Sequence, residues 1–331
     1  MEEQEVWSER PLSLEDLFAG SSLLTVAFLA TALYVIMLSI MRKQDKEVVG
    51  YRFLFSAGCA DVLLLFNYGV WPALTILFKS ELIPKSLRHW QQLYLDWAWF
   101  SMVSHYSVVS WSRWMAIRRP LAFRNQPRRT SYTLCGLCYL LALVVVLSTH
   151  FQPWYVTFYY EPSSYGMLAE NFPLYLSGGQ SAMFLACHCT AILPPIVFYT
   201  WSIALLYSRK KPKLLVHVAQ NNIESRLLLP CLINVVTFVI GQVVITVGTG
   251  EGKWAGYTVM LLFAANSAMN PLLLLICSKS IRQQVLDALE KNSCYRNEAN
   301  SAMESCVTSE KPTRRYLFLT LPSSTPPSTA L

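Results

Sequence analysis

The chain has 331 residues, of which 53% are hydrophobic, 13% aromatic and only 14% charged. An ordinary soluble domain carries roughly a quarter charged residues, so this composition argues against a soluble globular protein and for a membrane protein. The net charge of +7 does not indicate nucleic-acid binding, because the basic residues stand in short clusters between apolar runs and form no continuous basic face.

Apolar runs long enough to cross a bilayer, which takes about 20 helical residues, recur along most of the chain. They cover residues 19–41, 51–78, 92–117, 132–150, 179–207, 226–249 and 255–277. The sequence therefore predicts an all-α fold in which residues 19–277 form a seven-transmembrane helix bundle and residues 1–18 form a tail before it. The sequence contains no internal repeat, which argues against a transporter built from inverted repeats.

The lysines and arginines between the runs predict how the bundle is oriented. The first, third and fifth loops hold four or five of them each, whereas the second holds three, the fourth none and the sixth one. Short cytoplasmic loops carry the excess of basic residues in membrane proteins. We therefore expect the odd-numbered loops and the C-terminus in the cytoplasm, and the N-terminal tail outside the cell.

The segment after the seventh run predicts an eighth, shorter helix. Within residues 278–290, the apolar residues recur at helical spacing and form one face, made of Ile281, Val285, Leu286 and Leu289. A helix of this kind lies along the inner membrane surface. Residues 291–331 are rich in Ser, Thr and Pro and predict a disordered cytoplasmic tail, in which Cys294 is a candidate for lipidation.

The third run ends in the most informative motif, Ser112-Arg-Trp-Met-Ala-Ile-Arg-Arg-Pro-Leu-Ala-Phe123. It resembles the pattern Asp-Arg-Tyr-x-Ala-Ile-x-x-Pro-Leu-x-Tyr of rhodopsin-like G-protein-coupled receptors, at the same place in the chain. Arg113 matches the arginine of that pattern, Trp114 replaces its tyrosine and Ser112 replaces its aspartate. An arginine near a helix end is often only a snorkelling anchor, but the surrounding identities favour a role in G-protein coupling.

The seventh run carries a second motif, Asn266-Ser267-Ala-Met-Asn270-Pro271. It resembles the family's Asn-Pro-x-x-Tyr element, although a leucine stands where the tyrosine would be. In the second run, Asp61 lies in the middle of an apolar segment, where a carboxylate is costly unless it is paired or hydrated. The resemblance implies a polar network of Asp61 with the three polar residues of the seventh run, holding water or a sodium ion.

The sixth run matches the family in spacing and departs from it in composition. Glu224 at its inner end and Phe238 lie 14 residues apart, as the family's acid and phenylalanine do. The resemblance implies that Arg113 approaches Glu224 in the inactive state. Gln242 replaces the usual tryptophan. No cysteine lies near the outer ends, so the family's outer disulfide cannot form, and Arg88 stands roughly where its first cysteine would be.

These departures together resemble the nematode serpentine chemoreceptors of the Srv, Srx and Srt group. The resemblance implies a receptor, not an enzyme, that needs no cofactor and lies in the plasma membrane or a sensory cilium. It implies a small-molecule or peptide ligand, a heterotrimeric G protein and arrestin as partners. The final Thr329-Ala-Leu331 is a weak match to ligands of PDZ domains. A transporter or channel is the alternative, although the spans offer chiefly two acidic groups, Asp61 and Asp96.

A ligand site is predicted near the outer end of the third span. Asp96 precedes Arg113 by 17 residues, or about 25 Å of helix. The predicted site comprises Asp96, Trp97, Trp99, Phe100, His188, Gln242 and Tyr257. The alternative is that Asp96 pairs with Arg88 or Lys253 at the rim. Because the Cys187-His188-Cys189 triplet lies inside an apolar run, we interpret it as packing rather than as a metal site.

Overall fold

The computed structural model describes residues 7–208, 227–247, 252–278 and 281–287. The predicted seven-helix bundle is confirmed, and over these residues each predicted run coincides with one helix to within five residues. The helices are α1 Leu14–Gln44, α2 Val49–Phe78, α3 Arg88–Arg118, α4 Arg128–His150, α5 Gln180–Ser208, α6 Leu228–Val247 and α7 Lys253–Cys277. Two short helices, Pro120–Arg124 and Phe172–Ser177, follow α3 and precede α5.

Local sequence explains where several of these helices begin and bend. Ser13 caps α1 reciprocally with Asp16: the Ser13 hydroxyl accepts from the Asp16 amide at 3.1 Å, and the Asp16 carboxylate accepts from the Ser13 amide at 3.0 Å. In α2, a π-helical turn at Phe66–Val70 precedes Pro72. Pro72 has no amide hydrogen and crowds the preceding turn, and the widened turn accommodates it.

The surface of the bundle is that of a membrane protein. By length and composition, five of the helices in the described ranges can cross a membrane: α1, α2, α4, α5 and α7. Their exposed side chains include large apolar ones such as Phe28, Leu141 and Leu193. Helix α3 is as long but more polar, and its polar side chains, among them Ser101, His105 and Arg113, are buried inside the bundle.

The loop between α4 and α5 contains a feature that the sequence analysis did not predict, a two-stranded antiparallel hairpin. Its strands are β1 Phe158–Glu161 and β2 Gly166–Ala169, with Phe158 opposite Ala169 and Glu161 opposite Gly166. Following the orientation predicted from the basic residues, we call the end of the bundle that carries this hairpin the outer end, and the opposite end the inner end.

After α7, residues 281–287 form a short helix, α8. Ile281 and Val285 are buried, whereas Leu286 is 54% exposed, so Leu286 does not share their buried face. The Ser278 hydroxyl accepts a hydrogen bond from the Ile281 amide at 3.4 Å and so caps the helix. Leu289, Cys294 and the predicted tail of residues 291–331 lie outside the described residues, as does Glu224.

Candidate functional site

A buried polar cluster joins α1, α2 and α7 in the middle of the bundle. Asp61, only 1% exposed, accepts hydrogen bonds from the Asn270 amide at 2.6 Å and from the Tyr34 hydroxyl at 2.8 Å. The Tyr34 hydroxyl also lies 2.8 Å from the backbone carbonyl of Ser267. Asp61, Ser267 and Asn270 are thus brought together as the sequence predicts, and Tyr34 is a member that the sequence analysis missed.

Pro271 explains why Tyr34 belongs to this cluster. A proline inside a helix cannot donate to the carbonyl four residues earlier, which here is that of Ser267. The Tyr34 hydroxyl lies within hydrogen-bond distance of this freed carbonyl. Pro271 therefore acts on the cluster through the backbone. The available signal was Pro271 itself, which leaves a carbonyl of α7 in need of a donor.

A second row of buried polar groups continues from this cluster towards the inner end. Tyr106 of α3 lies beside Asn266 of α7 and Asn234 of α6, so Asn266 belongs to this row and not to the Asp61 hydrogen bonds. Tyr199 of α5 lies close enough to both Tyr106 and Arg113 to interact with them electrostatically. Polar side chains from α3, α5, α6 and α7 therefore lead inwards to Arg113.

Arg113 is buried at the inner end of α3. Its side chain is fully shielded, at 0% exposure, and it is the largest side chain buried to this degree in the described residues. A snorkelling arginine extends its guanidinium to the membrane interface, so the burial of Arg113 argues against that interpretation. The predicted contact with Glu224 lies outside the described residues.

The neighbours of Arg113 point in different directions. The Ser112 hydroxyl donates to the carbonyl of Val109 in the preceding turn at 2.7 Å. The Trp114 ring packs against Trp201 of α5 at 5.1 Å between ring centres, with the Arg118 guanidinium 4.9 Å from the Trp114 ring. Ser112 is therefore engaged with its own helix, whereas Trp114 joins α3 to α5.

A charge cluster at the inner end ties the first inner loop to α4. Asp45 forms an ion pair with Arg128 and accepts from the Tyr132 hydroxyl at 2.9 Å. The buried Arg52 donates to the backbone carbonyls of Asp45 at 2.7 Å and Gln126 at 2.8 Å. Burial raises the pKa of the Asp45 carboxyl, but the hydrogen bonds from Arg128 and Tyr132 outweigh it and hold the pKa below its ordinary value.

Aromatic rings from five helices meet in the outer half of the bundle. This aromatic cluster comprises Tyr68, Trp99, Phe100, Phe184, His188, Phe238 and Phe263. Trp99 is its centre, with ring centres 5.1 Å from Phe263, 5.7 Å from Phe238 and 5.9 Å from His188. The π-helical turn of α2 supplies Tyr68, which stacks on Phe263 at 4.5 Å. Trp99, Phe100 and His188 therefore meet as predicted, together with Phe238.

Three residues of the predicted ligand site lie elsewhere. Asp96 accepts from Gln92 at 2.7 Å and from the Tyr155 hydroxyl at 2.9 Å, and one carboxylate oxygen lies 3.7 Å from His150 at the outer end of α4. The Trp97 ring donates to the backbone of α4, and the Tyr257 hydroxyl bonds to Ser22 of α1 at 2.7 Å. The structure does not bring Asp96, Trp97 and Tyr257 into the aromatic cluster.

The rim contacts of Asp96 also differ from the sequence prediction. Arg88 pairs with Glu81 at 3.1 Å and Lys253 pairs with Glu15, so both of its predicted alternative partners are engaged elsewhere. The prediction that Asp96 pairs with one of them, if it does not bind a ligand, is wrong. Gln242 is half-buried on α6, about one turn beyond Phe238.

The hairpin β1–β2 is tied to the outer end by contacts to several helices. The Tyr165 hydroxyl donates to Asp16 of α1 at 2.5 Å, and Gly166 packs so closely on Gly256 of α7 that a Cβ at Gly166 would lie 2.8 Å from the Gly256 Cα. Gln180 of α5 bonds to both the amide and the carbonyl of Val156, at 2.6 and 3.1 Å. The outer ends of the spans offer no cysteine for a disulfide. These noncovalent contacts therefore hold the loop in place.

Arg88 contributes one further contact between the outer end of α3 and the hairpin. Its guanidinium carbon lies 4.0 Å from the centre of the Tyr159 ring in β1, a distance typical of a cation–π interaction. Asp96 also connects α3 to the loop between α4 and α5, because it accepts a hydrogen bond from Tyr155 of that loop. Among the residues described, no group of three or more His, Cys, Asp or Glu side chains could hold a metal ion.

The comparisons with known proteins bear on the fold. No protein-family model matches this sequence, and no curated protein matches it either. The structure is similar to the crystal structure of squid rhodopsin, with a TM-score of 0.67 and 15% sequence identity over 84% of this chain and 82% of that chain. The seven-helix bundle therefore has the rhodopsin fold.

Proposed function

We propose that the chain is a rhodopsin-like G-protein-coupled receptor that binds a small molecule or peptide and activates a heterotrimeric G protein. The observation that carries this proposal is the complete burial of Arg113 at the inner end of α3. Arginines buried at membrane depth are rare and costly, and they commonly mark functional positions rather than packing positions. In a receptor, the inner ends separate on activation and make this arginine available to the G protein.

The polar row between Asp61 and Arg113 supports the same proposal. It places polar side chains of α3, α5, α6 and α7 close to one another, next to the hydrogen bond from Asn270 to Asp61. Such contacts can be exchanged for others when helices shift, whereas a purely apolar core offers no alternative set of partners. A ligand in the outer half shifts this equilibrium only if it binds the active arrangement more tightly.

The sequence departures favour a nematode-type chemosensory receptor in the plasma membrane or a sensory cilium, with the N-terminus outside. The proposed network includes Phe238 and Pro271 besides the polar residues, and coupling involves Ser112, Trp114 and Glu224. The same proposal includes sodium or water at Asp61 and lipidation of Cys294. It also includes arrestin binding to the tail and a PDZ partner for the C-terminus. The alternative is a membrane transporter or channel.

Reconstitution of the full chain in liposomes with purified G protein separates these functions. We expect nucleotide exchange on the G protein to exceed the rate in empty liposomes, and small-ion and solute flux to remain at the level of empty liposomes. Flux without any exchange would support the transporter and contradict the receptor. Exchange should be tested with several G-protein classes, because the sequence does not specify one.

A further inference from the structure

The aromatic cluster offers a ligand apolar surface and almost no charge. Its one histidine, His188, has both ring nitrogens in use: Nε2 accepts from the Trp99 indole at 2.8 Å, so Nδ1 carries the hydrogen that is donated to the Phe184 carbonyl at 2.6 Å. Asp96 is held by Gln92 and Tyr155 at the α4 side. A cationic ligand among these rings would therefore meet no available carboxylate, whereas an uncharged one would keep the ring contacts.

Gly241 of α6 has open space beside it. A Cβ atom built on this glycine would meet no atom within 4 Å apart from its own helix, although Gly241 is half-buried. Gly241 lies three residues beyond Phe238, so the two positions are neighbours on the same helix, about 5–6 Å apart. A small molecule beside Gly241 would thus contact the cluster without displacing the backbone.

The outer end of the bundle is covered by the hairpin. Tyr165 is 1% exposed, and the hairpin and its flanking turns contact α1, α3, α5 and α7 through Asp16, Arg88, Gln180 and Gly256. The Gly166–Gly256 contact leaves no room for a side chain between the hairpin and α7. Entry through this cover would require all these contacts to break.

The side of the bundle between α5 and α6 is less closely packed. Between Gln180 and Pro195, α5 buries no residue, and Phe184 and His188 are only half-buried. On α6, Ile240 and Val243 are more than half exposed. These two helices contact each other little, whereas α6 packs extensively on α7. Phe184 and His188 of the aromatic cluster are therefore within reach of the lipid on this side.

From these observations we infer that the ligand is an uncharged, lipophilic small molecule that enters from the bilayer between α5 and α6 and docks against Trp99, His188 and Phe238. The inference rests on the proposed receptor function. A charged ligand would pay several kcal/mol to reach this side from within the bilayer. The Trp99–His188 hydrogen bond supplies the single polar anchor, since the Trp99 N–H can donate to a hydroxyl or carbonyl of the ligand and His188 Nε2 can accept from a ligand hydroxyl.

Photoaffinity labelling of the full chain in lipid nanodiscs tests this inference. The probes are a medium-chain fatty alcohol that carries a diazirine, the matching alkane, and the matching trimethylammonium compound. We expect the alcohol to label the protein saturably, at residues 181–194 of α5 and on α6 near Phe238. We expect the cationic probe not to label these sites. Gly241→Phe should fill the open space and lower the labelling by about tenfold, the effect of about 1.4 kcal/mol.

Gly136→Phe is the matched control, because Gly136 is a helical glycine with the same open surroundings but is exposed on α4. We expect it to leave the labelling unchanged. His188→Leu provides a second measurement that does not depend on the glycine: it removes the Nε2 acceptor for the hydroxyl of the alcohol and should bring labelling by the alcohol closer to that by the alkane. Thermal unfolding of each variant verifies that it is folded.

Labelling that does not saturate, that spreads evenly over the lipid-facing helices, or that the cationic probe reproduces would overturn the inference. Equal labelling of the Gly241→Phe and Gly136→Phe variants would do so too. G-protein nucleotide exchange is measured on the same preparations. Exchange that depends on Arg113 without specific labelling contradicts the ligand inference alone, and specific labelling without exchange contradicts the receptor function alone.

Discussion

Replacing Tyr34 with phenylalanine removes the hydroxyl that lies 2.8 Å from both the Asp61 carboxylate and the Ser267 carbonyl. Because Pro271 cannot donate to Ser267, the substitution leaves a buried carbonyl without its donor. An unsatisfied buried group costs about 1–3 kcal/mol, although hydrogen bonds inside membrane proteins average about 0.6 kcal/mol. We expect a loss of about 1–2 kcal/mol, or roughly 3–6 °C in apparent melting temperature.

The buried cysteines provide the assay. Cys135 and Cys138 form no disulfide and are buried, so a thiol-reactive dye reports unfolding as they become accessible on heating. Tyr159→Phe is the control: it keeps the ring under Arg88, and its hydroxyl forms no hydrogen bond with any residue that the structure describes. We expect its melting temperature to equal that of the unchanged protein.

A double-mutant cycle with Pro271→Ala tests the reasoning itself. Alanine at position 271 restores an amide that can donate to Ser267, so the carbonyl no longer needs Tyr34. The cost of Tyr34→Phe should then fall by at least about 0.5 kcal/mol, beyond the usual error of additivity. If the two substitutions are additive, the freed carbonyl is not what Tyr34 stabilises, and the explanation given for the cluster is refuted.

Three further predictions concern the two ends of the bundle. Gly256→Leu should loosen the hairpin, because its Cβ would lie 2.6 Å from the Ser164 carbonyl; hydrogen exchange of β1 and β2 should rise, and it should not rise in Gly136→Leu. Gln180→Ala should expose the Val156 amide to exchange, at a cost of about 1–3 kcal/mol, while unchanged exchange would show that the pairing is not formed. The lowered pKa of Asp45 means that its stabilising contribution is complete above the ordinary carboxyl pKa of about 4 and is lost as the pH falls below it. Asp45→Asn should therefore flatten the acid limb of a stability–pH profile, and an unchanged limb would contradict the ion pair.

The sequence was sufficient to predict the bundle, because a run of apolar residues has only one stable way to cross a bilayer. The cost of a carboxylate in lipid indicated that Asp61 has polar partners, and the resemblance to rhodopsin-like receptors implied that Asn270 is one of them. Tyr34 was missed because tyrosine is common near membrane surfaces and carries no sign of its partner. Only the freed carbonyl before Pro271 indicated that a donor was needed.

The outer half was harder to predict, since neighbouring residues of a helix point in different directions. Asp96 and Trp99 are three residues apart, which leaves them only about 60° apart around the helix, yet Asp96 contacts Tyr155 and the α4 side while Trp99 contacts the rings at the centre. The hairpin was missed for a different reason. It is four residues per strand, and its position depends on close contacts such as Gly166 with Gly256, which no local pattern reveals.

The central claim, that Arg113 couples this bundle to a G protein, is tested most directly by nucleotide exchange with Arg113→Ala in liposomes. Arg119→Ala is the control, because it removes an exposed arginine six residues further along the same chain segment. We expect exchange to fall to the rate of empty liposomes for Arg113→Ala and to persist for Arg119→Ala, with both variants equally folded. Exchange that survives the loss of Arg113, or that both substitutions reduce equally, would contradict the claim.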